Sequence, residues 1–172
     1  MFLALLENAL SLEINNFCFL SSKIFWFQSD NGQKKDRSSF SLWEANLDGS
    51  HQKSLVANSN MNPVSCTYDY ESNVIYWIHK DVGKHSIESY DYNSKQLRTV
   101  QDLMGHSKGL LFFDRSLIYG DLDAMTILKI PVNSTGAQAV LVEDIDWVLD
   151  IKAFHGSVQT GKLLLLLICS IV

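Results

Sequence analysis

The chain has 172 residues, of which 47% are hydrophobic and 11% aromatic; that is enough to fill a core and excludes a disordered chain. Its formal net charge is −5 and its Lys and Arg are scattered, which excludes the basic stripe needed to hold nucleic acid or an anionic membrane. Cys18, Cys66 and Cys169 fit no zinc or redox spacing and read as buried or unpaired thiols, with a Cys18–Cys66 pairing left open.

Residues 1–20 are taken as an N-terminal segment of uncertain structure. Met1 to Leu6 is apolar, but Glu7 interrupts the run and no basic residue precedes it, whereas a secretory signal has a positive start and roughly 7–15 apolar residues. A short helix or a remnant of a repeat is expected there.

From residue 21 to 155 one pattern recurs. The first copy opens on Ile24-Phe25-Trp26-Phe27, continues with Ser41 to Asn46, turns at Leu47-Asp48-Gly49-Ser50 and resumes at Ser54-Leu55-Val56. The second opens on Val74-Ile75-Tyr76-Trp77-Ile78-His79; Ser86 to Tyr92 then alternates apolar and polar as a half-buried strand does, and Gln96 to Val100 follows a turn at Asn93-Ser94. The third runs from Leu117-Ile118-Tyr119-Gly120-Asp121 through Met125 to Ile130, turns near Asn133 to Gly136 and resumes at Ala139 to Val142. With aromatic aligned on aromatic, Phe25 to Tyr76 is 51 residues and Tyr76 to Tyr119 is 43. The second step lies in the roughly 40–50 residue period of four-stranded propeller blades. The polar stretch Gly32 to Ser38, read as an inserted loop, accounts for the longer first step. Pro63 and Pro131 fall at expected strand ends or in loops, where a missing donor does least harm.

Residues 156–172 form an apolar C-terminal tail. Leu163 to Val172 is ten residues, too few to cross a bilayer as a helix, which takes ~20. The spacer after Gly156 and Ser157 is also shorter than the ~8–12 residues of a lipid-anchor signal. The tail is expected to replace repeat sequence with unrelated residues.

The stretch Asp69 to Asn73, then Ile75-Tyr76-Trp77-Ile78-His79, then Ile87-Glu88 resembles the YWTD repeat of the low-density lipoprotein receptor family. Leu47-Asp48-Gly49-Ser50 with Leu55-Val56 is similar to the turn that follows that motif. Gly109 to Asp114, leading to Leu117-Ile118-Tyr119, is similar to its lead-in, and Trp147 to His155 to the segment that closes such propellers. The resemblance implies an all-β fold, a partial six-bladed YWTD-type β-propeller of about three blades of four-stranded antiparallel sheets, here its C-terminal half. The chain departs from the motif where Thr and Asp should follow the Trp. Ile78 and His79 stand there in the second copy, Phe27 and Gln28 in the first, and Gly120 replaces the Trp in the third. The resemblance implies a bond from the motif Asp to backbone of a neighbouring blade. Only Asp121, reached by a one-residue contraction, is placed to keep it.

Phe25, Trp26, Tyr76, Trp77, Tyr119 and Asp121 are therefore expected to be structural repeat residues, with the aromatics packed in the core. Trp43 and Trp147, on other strands, have more chance of exposure. No metal-ligand, cofactor or catalytic residues are expected. His51, His79, His85, His106 and His155 have no metal spacing, His79 and His85 being the one suggestive pair, and Asp114, Asp121 and Asp123, like Glu143, Asp144 and Asp146, read as solvated acidic turns. Asn133-Ser134-Thr135 is a glycosylation acceptor triplet.

The expectation is a non-catalytic extracellular or membrane-associated protein-interaction module, a fragment of a lipoprotein-receptor-like endocytic or signalling receptor. Its partners would be protein ligands or neighbouring receptor modules, with exposed blade edges a route to association; neither nucleic acid nor a small-molecule substrate is expected. The alternative is a six-bladed propeller hydrolase of the calcium-dependent lactonase type, which needs carboxylates and amides converging from several blades. A WD-type scaffold, suggested by Gly105-His106, lacks the closing Trp-Asp and ranks third.

Overall fold

A computed structural model describes residues 14–19, 22–29, 40–59, 62–132, 138–145, 148, 150–154 and 164–168. Asn133, Asp146, Trp147 and His155, on which expectations were placed, lie outside them, as do residues 1–13 and most of the tail. The described residues are all-β. Strands β1 (Ile14–Phe19), β2 (Lys23–Ser29), β3 (Phe40–Asn46) and β4 (Lys53–Ser59) form one antiparallel sheet in chain order. Strands β5 (Pro63–Asp69), β6 (Val74–Asp81), β7 (Lys84–Asp91) and β8 (Gln96–Leu103) repeat this arrangement. So do β9 (Ser107–Phe113), β10 (Ser116–Asp121), β11 (Thr126–Pro131) and β12 (Ala139–Val142). A fourth sheet has two strands, β13 (Asp150–Phe154) and β14 (Leu164–Ile168).

The first strands of successive sheets pack side by side, β1 on β5, β5 on β9 and β9 on β13. The sheets are thus blades of a partial β-propeller: three of four strands and the first two strands of another. The sequence pattern displays the outer three strands of each repeat, and β1 and β5 complete the first two sheets. β1 lies within the segment 1–20 and β14 within the segment 156–172, where it pairs with β13 from Asp150↔Ile168 to Phe154↔Leu164. Pro63 opens β5 and Pro131 closes β11.

The core lies between blades because the second strand of each is apolar on both faces. On β2, Phe25 and Phe27 point forward with Phe40 and Leu42, and meet Tyr68, Ile75, Trp77 and Tyr90 of the second blade. The opposite face of β6 carries Tyr76 and Ile78, which with Ile87 and Leu103 meet Leu110, Leu117, Tyr119, Leu128 and Ile130 of the third. Ile118 and Ile127 then meet Ile145, Val148 and Ile151. Fully burying such a side chain contributes roughly 1.5–3 kcal/mol, so these junctions carry most of the docking energy.

Three equivalent backbone bonds fix the repeat register. Leu47 N–H donates to Ser22 O at 3.3 Å, Tyr92 N–H to Asn73 O at 2.9 Å and Val132 N–H to Arg115 O at 3.1 Å. Four residues beyond each acceptor stand Trp26, Trp77 and Tyr119. Tyr119 is therefore the counterpart of Trp77 and faces back toward Tyr76 across the junction. In this register Asp121 falls opposite His79 with no contraction. A further pair of bonds agrees, from Lys80 N–H to Asn62 O and from Leu122 N–H to His106 O, both 2.8 Å. Gly120 faces Val148, which precedes β13, and a Cβ there would come within 2.9 Å of its side chain.

Candidate functional site at the junction of the second and third blades

The expected core aromatics are buried: Phe25 is 1% exposed, Trp26 7%, Tyr76 4%, Trp77 0% and Tyr119 2%. Burial pushes the Tyr76 and Tyr119 phenols up to about 12, so both stay neutral donors across the physiological range. Trp43, expected to be more exposed, is partly buried and stacks on Trp26 with ring centroids 6.3 Å apart. These residues build the scaffold.

Asp121 accepts hydrogen bonds at Oδ1 from the Asp123 and Ala124 N–H groups, both at 3.0 Å, and so caps its own turn. Asp48, Asp69 and Asp91 do the same in their own turns. Between the first strands of the second and third blades, small polar side chains supply the bonds instead. Ser65 Oγ accepts from Leu110 N–H, and Thr67 Oγ1 from Phe112 N–H, each at 3.0 Å. They occupy donors on β9 that would otherwise be orphaned inside the junction.

Cys66, on the same strand, is disulfide-bonded, which corrects the expectation of an unpaired thiol there. Its partner side chain is not among those described.

At the first junction Glu44, 1% exposed, receives Lys23 Nζ and Lys53 Nζ at 2.9 Å each and the Tyr92 hydroxyl at 3.2 Å. Burial alone pushes its carboxyl up. The bonds from Lys53, Lys23 and Tyr92 outweigh burial and hold it below the usual value.

At one rim of the second junction lies a cavity of about 380 Å³ lined by Val64, Lys80, His85, His106, Ser107, Lys108, Leu122 and Asp123. His85, 6% exposed on β7, accepts the Ser107 N–H at Nδ1, 2.9 Å away, which places its own proton on Nε2. Burial, followed by the nearby His106 and Lys80, holds its pKa below the ordinary value. The sequence had suggested His79 as the neighbour of His85. His79 Nδ1 instead accepts the Asn62 N–H at 3.2 Å, while the His85 ring meets His106 edge-on at 5.5 Å. Asp123 Oδ2 accepts the His106 N–H at 3.0 Å and the same carboxylate lies 3.2 Å from His106 Nδ1; the His106 bonds hold the Asp123 pKa below its usual value. Gly105, with φ 100°, permits this approach, since a Cβ there would collide with the Asp123 carboxylate. Two turns from different blades thus close a rim whose chemistry the linear sequence does not display. Among the described residues no three His, Cys, Asp or Glu side chains are grouped as a metal site, and no helix is long and apolar enough to cross a membrane.

No family model matches the chain. Among solved structures, it is similar to a nidogen/laminin complex, with TM-score 0.62 and 15% identity over 82% of this chain and 68% of that one. It is also similar to TolB from Acinetobacter baumannii, with TM-score 0.64 and 10% identity over 90% of this chain and 41% of the other. The β-propeller domain of the Trilobed protease from Pyrococcus furiosus gives TM-score 0.57 and 8% identity over 90% and 53%. At these identities the likeness establishes the fold, a partial β-propeller.

Proposed function

We propose that the chain is a non-catalytic extracellular protein-interaction module, a portion of a six-bladed YWTD-type propeller of a lipoprotein-receptor-like protein. The observation that carries this reading is the disulfide at Cys66 on β5, a bond that persists in oxidising compartments and is rare in the cytosol. The structure of a propeller protein in a nidogen/laminin complex, similar in fold, supports the same reading. The carboxylates favour it over a calcium-dependent hydrolase. Asp48, Asp69, Asp91 and Asp121 accept N–H groups of their own turns, where a hydrolase needs such groups turned together onto a metal.

The test is mass spectrometry of the natural product with and without reduction before alkylation. The reading predicts that Cys66 is alkylated only after reduction and that Asn133 carries an enzymatically removable glycan. A freely alkylated Cys66 with an unmodified Asn133 would refute it.

A further inference from the structure

The rim cavity between the second and third blades has an imbalance of donors over acceptors. Lys80 and Lys108 line it, and neither has an ion-pair partner among the described residues. His85 turns its Nδ1 to the Ser107 N–H and so keeps a proton on Nε2. Ser107 is fully buried, yet its hydroxyl has no hydrogen-bond partner. Leaving a buried hydroxyl unpaired is costly, so a group that satisfies it is favoured to bind. The one carboxylate in the lining, Asp123, is engaged with the backbone and ring of His106. Val64 and Leu122 add apolar wall beside these donors.

We infer that this cavity receives an acidic side chain, Asp or Glu, from a protein ligand, with Lys80, Lys108 and Ser107 binding the carboxylate and Val64 and Leu122 packing on its methylene stem. The charge selects an anion, and the apolar wall selects one carried on carbon over inorganic phosphate. The assignment rests on the protein-interaction reading above and names the chemistry of its ligand. The cavity is prebuilt, because Asp123 holds His106 and the β9 backbone holds His85.

The experiment is a ¹H–¹⁵N NMR titration of the full chain with acetyl-Leu-Glu-Leu-amide, with acetyl-Leu-Gln-Leu-amide as the uncharged control and inorganic phosphate as a third arm. The glutamyl peptide is expected to shift the Ser107 and Lys108 amides saturably, with affinity at least about tenfold above the glutaminyl peptide. The Lys80→Gln/Lys108→Gln variant, which alters only side chains at the cavity mouth, is expected to abolish that difference. Equal binding of the two peptides, a difference that survives in the variant, or saturable shifts with phosphate alone would overturn the proposal. None of these results bears on the oxidation of Cys66, so failure here is distinct from failure of the extracellular reading.

Discussion

Ser65 Oγ accepts the Leu110 N–H at 3.0 Å across the junction of the second and third blades, joining neighbouring first strands that share no ladder. Thr67 repeats the contact two residues along, on Phe112. Removing both hydroxyls, as Ser65→Ala/Thr67→Val, leaves one buried and one partly buried donor without acceptors and is expected to cost about 1–3 kcal/mol for the buried one and less for the other. Hydrogen exchange would show it directly: the Leu110 and Phe112 amides should exchange faster, while amides bonded within the β10–β11 ladder should be less affected.

These two residues also explain what the sequence conceals. Strands β2, β6 and β10 were legible because they are buried on both faces and read as continuous apolar runs. β5 reads Pro-Val-Ser-Cys-Thr-Tyr-Asp, since it places Ser65 and Thr67 against the backbone of β9 and so loses the apolar signature. In sequence Tyr119 aligns with Tyr76 for a similar reason. Ring identity suggested the alignment, whereas the face of the strand, visible only once Arg115 O and Asn73 O are seen to be equivalent, sets it one residue away. The rim cavity was illegible altogether. Lys80, His85, Ser107 and Asp123 are brought together by turns of two blades, and no spacing in the chain records that.

Gly120 is a packing requirement of the third junction. Gly120→Ala would press a Cβ to within 2.9 Å of Val148 Cβ and Cγ1, and overpacking of this kind costs typically about 1–3 kcal/mol. Val148→Ala combined with Gly120→Ala should recover part of the loss in a denaturant titration, because the added methyl then occupies space the valine vacates.

Stability should fall with acidity through His85. Its folded pKa lies below the ordinary 6.5, mainly through burial, so the unfolded chain takes up a proton before the folded one does. Its contribution is therefore full above 6.5 and declines as pH falls from there toward the folded value. Protonation of Nδ1 would also remove the acceptor of the Ser107 N–H. His85→Asn keeps an acceptor but does not titrate. The variant should show a flatter profile of unfolding free energy between pH 7 and 5 than the natural chain, with the carboxylate contributions common to both cancelling in the difference.

The first junction gives the most direct test that large rings wedge the blades together. Phe27 and Trp77, from adjoining blades, are 1% and 0% exposed, and their ring centroids lie 5.4 Å apart. A double-mutant cycle of Phe27→Leu and Trp77→Leu, followed by denaturant unfolding of all four proteins, isolates their interaction. The propeller arrangement predicts a coupling of about 0.5–1.5 kcal/mol. Single changes that each destabilise the protein yet add with no coupling would contradict it.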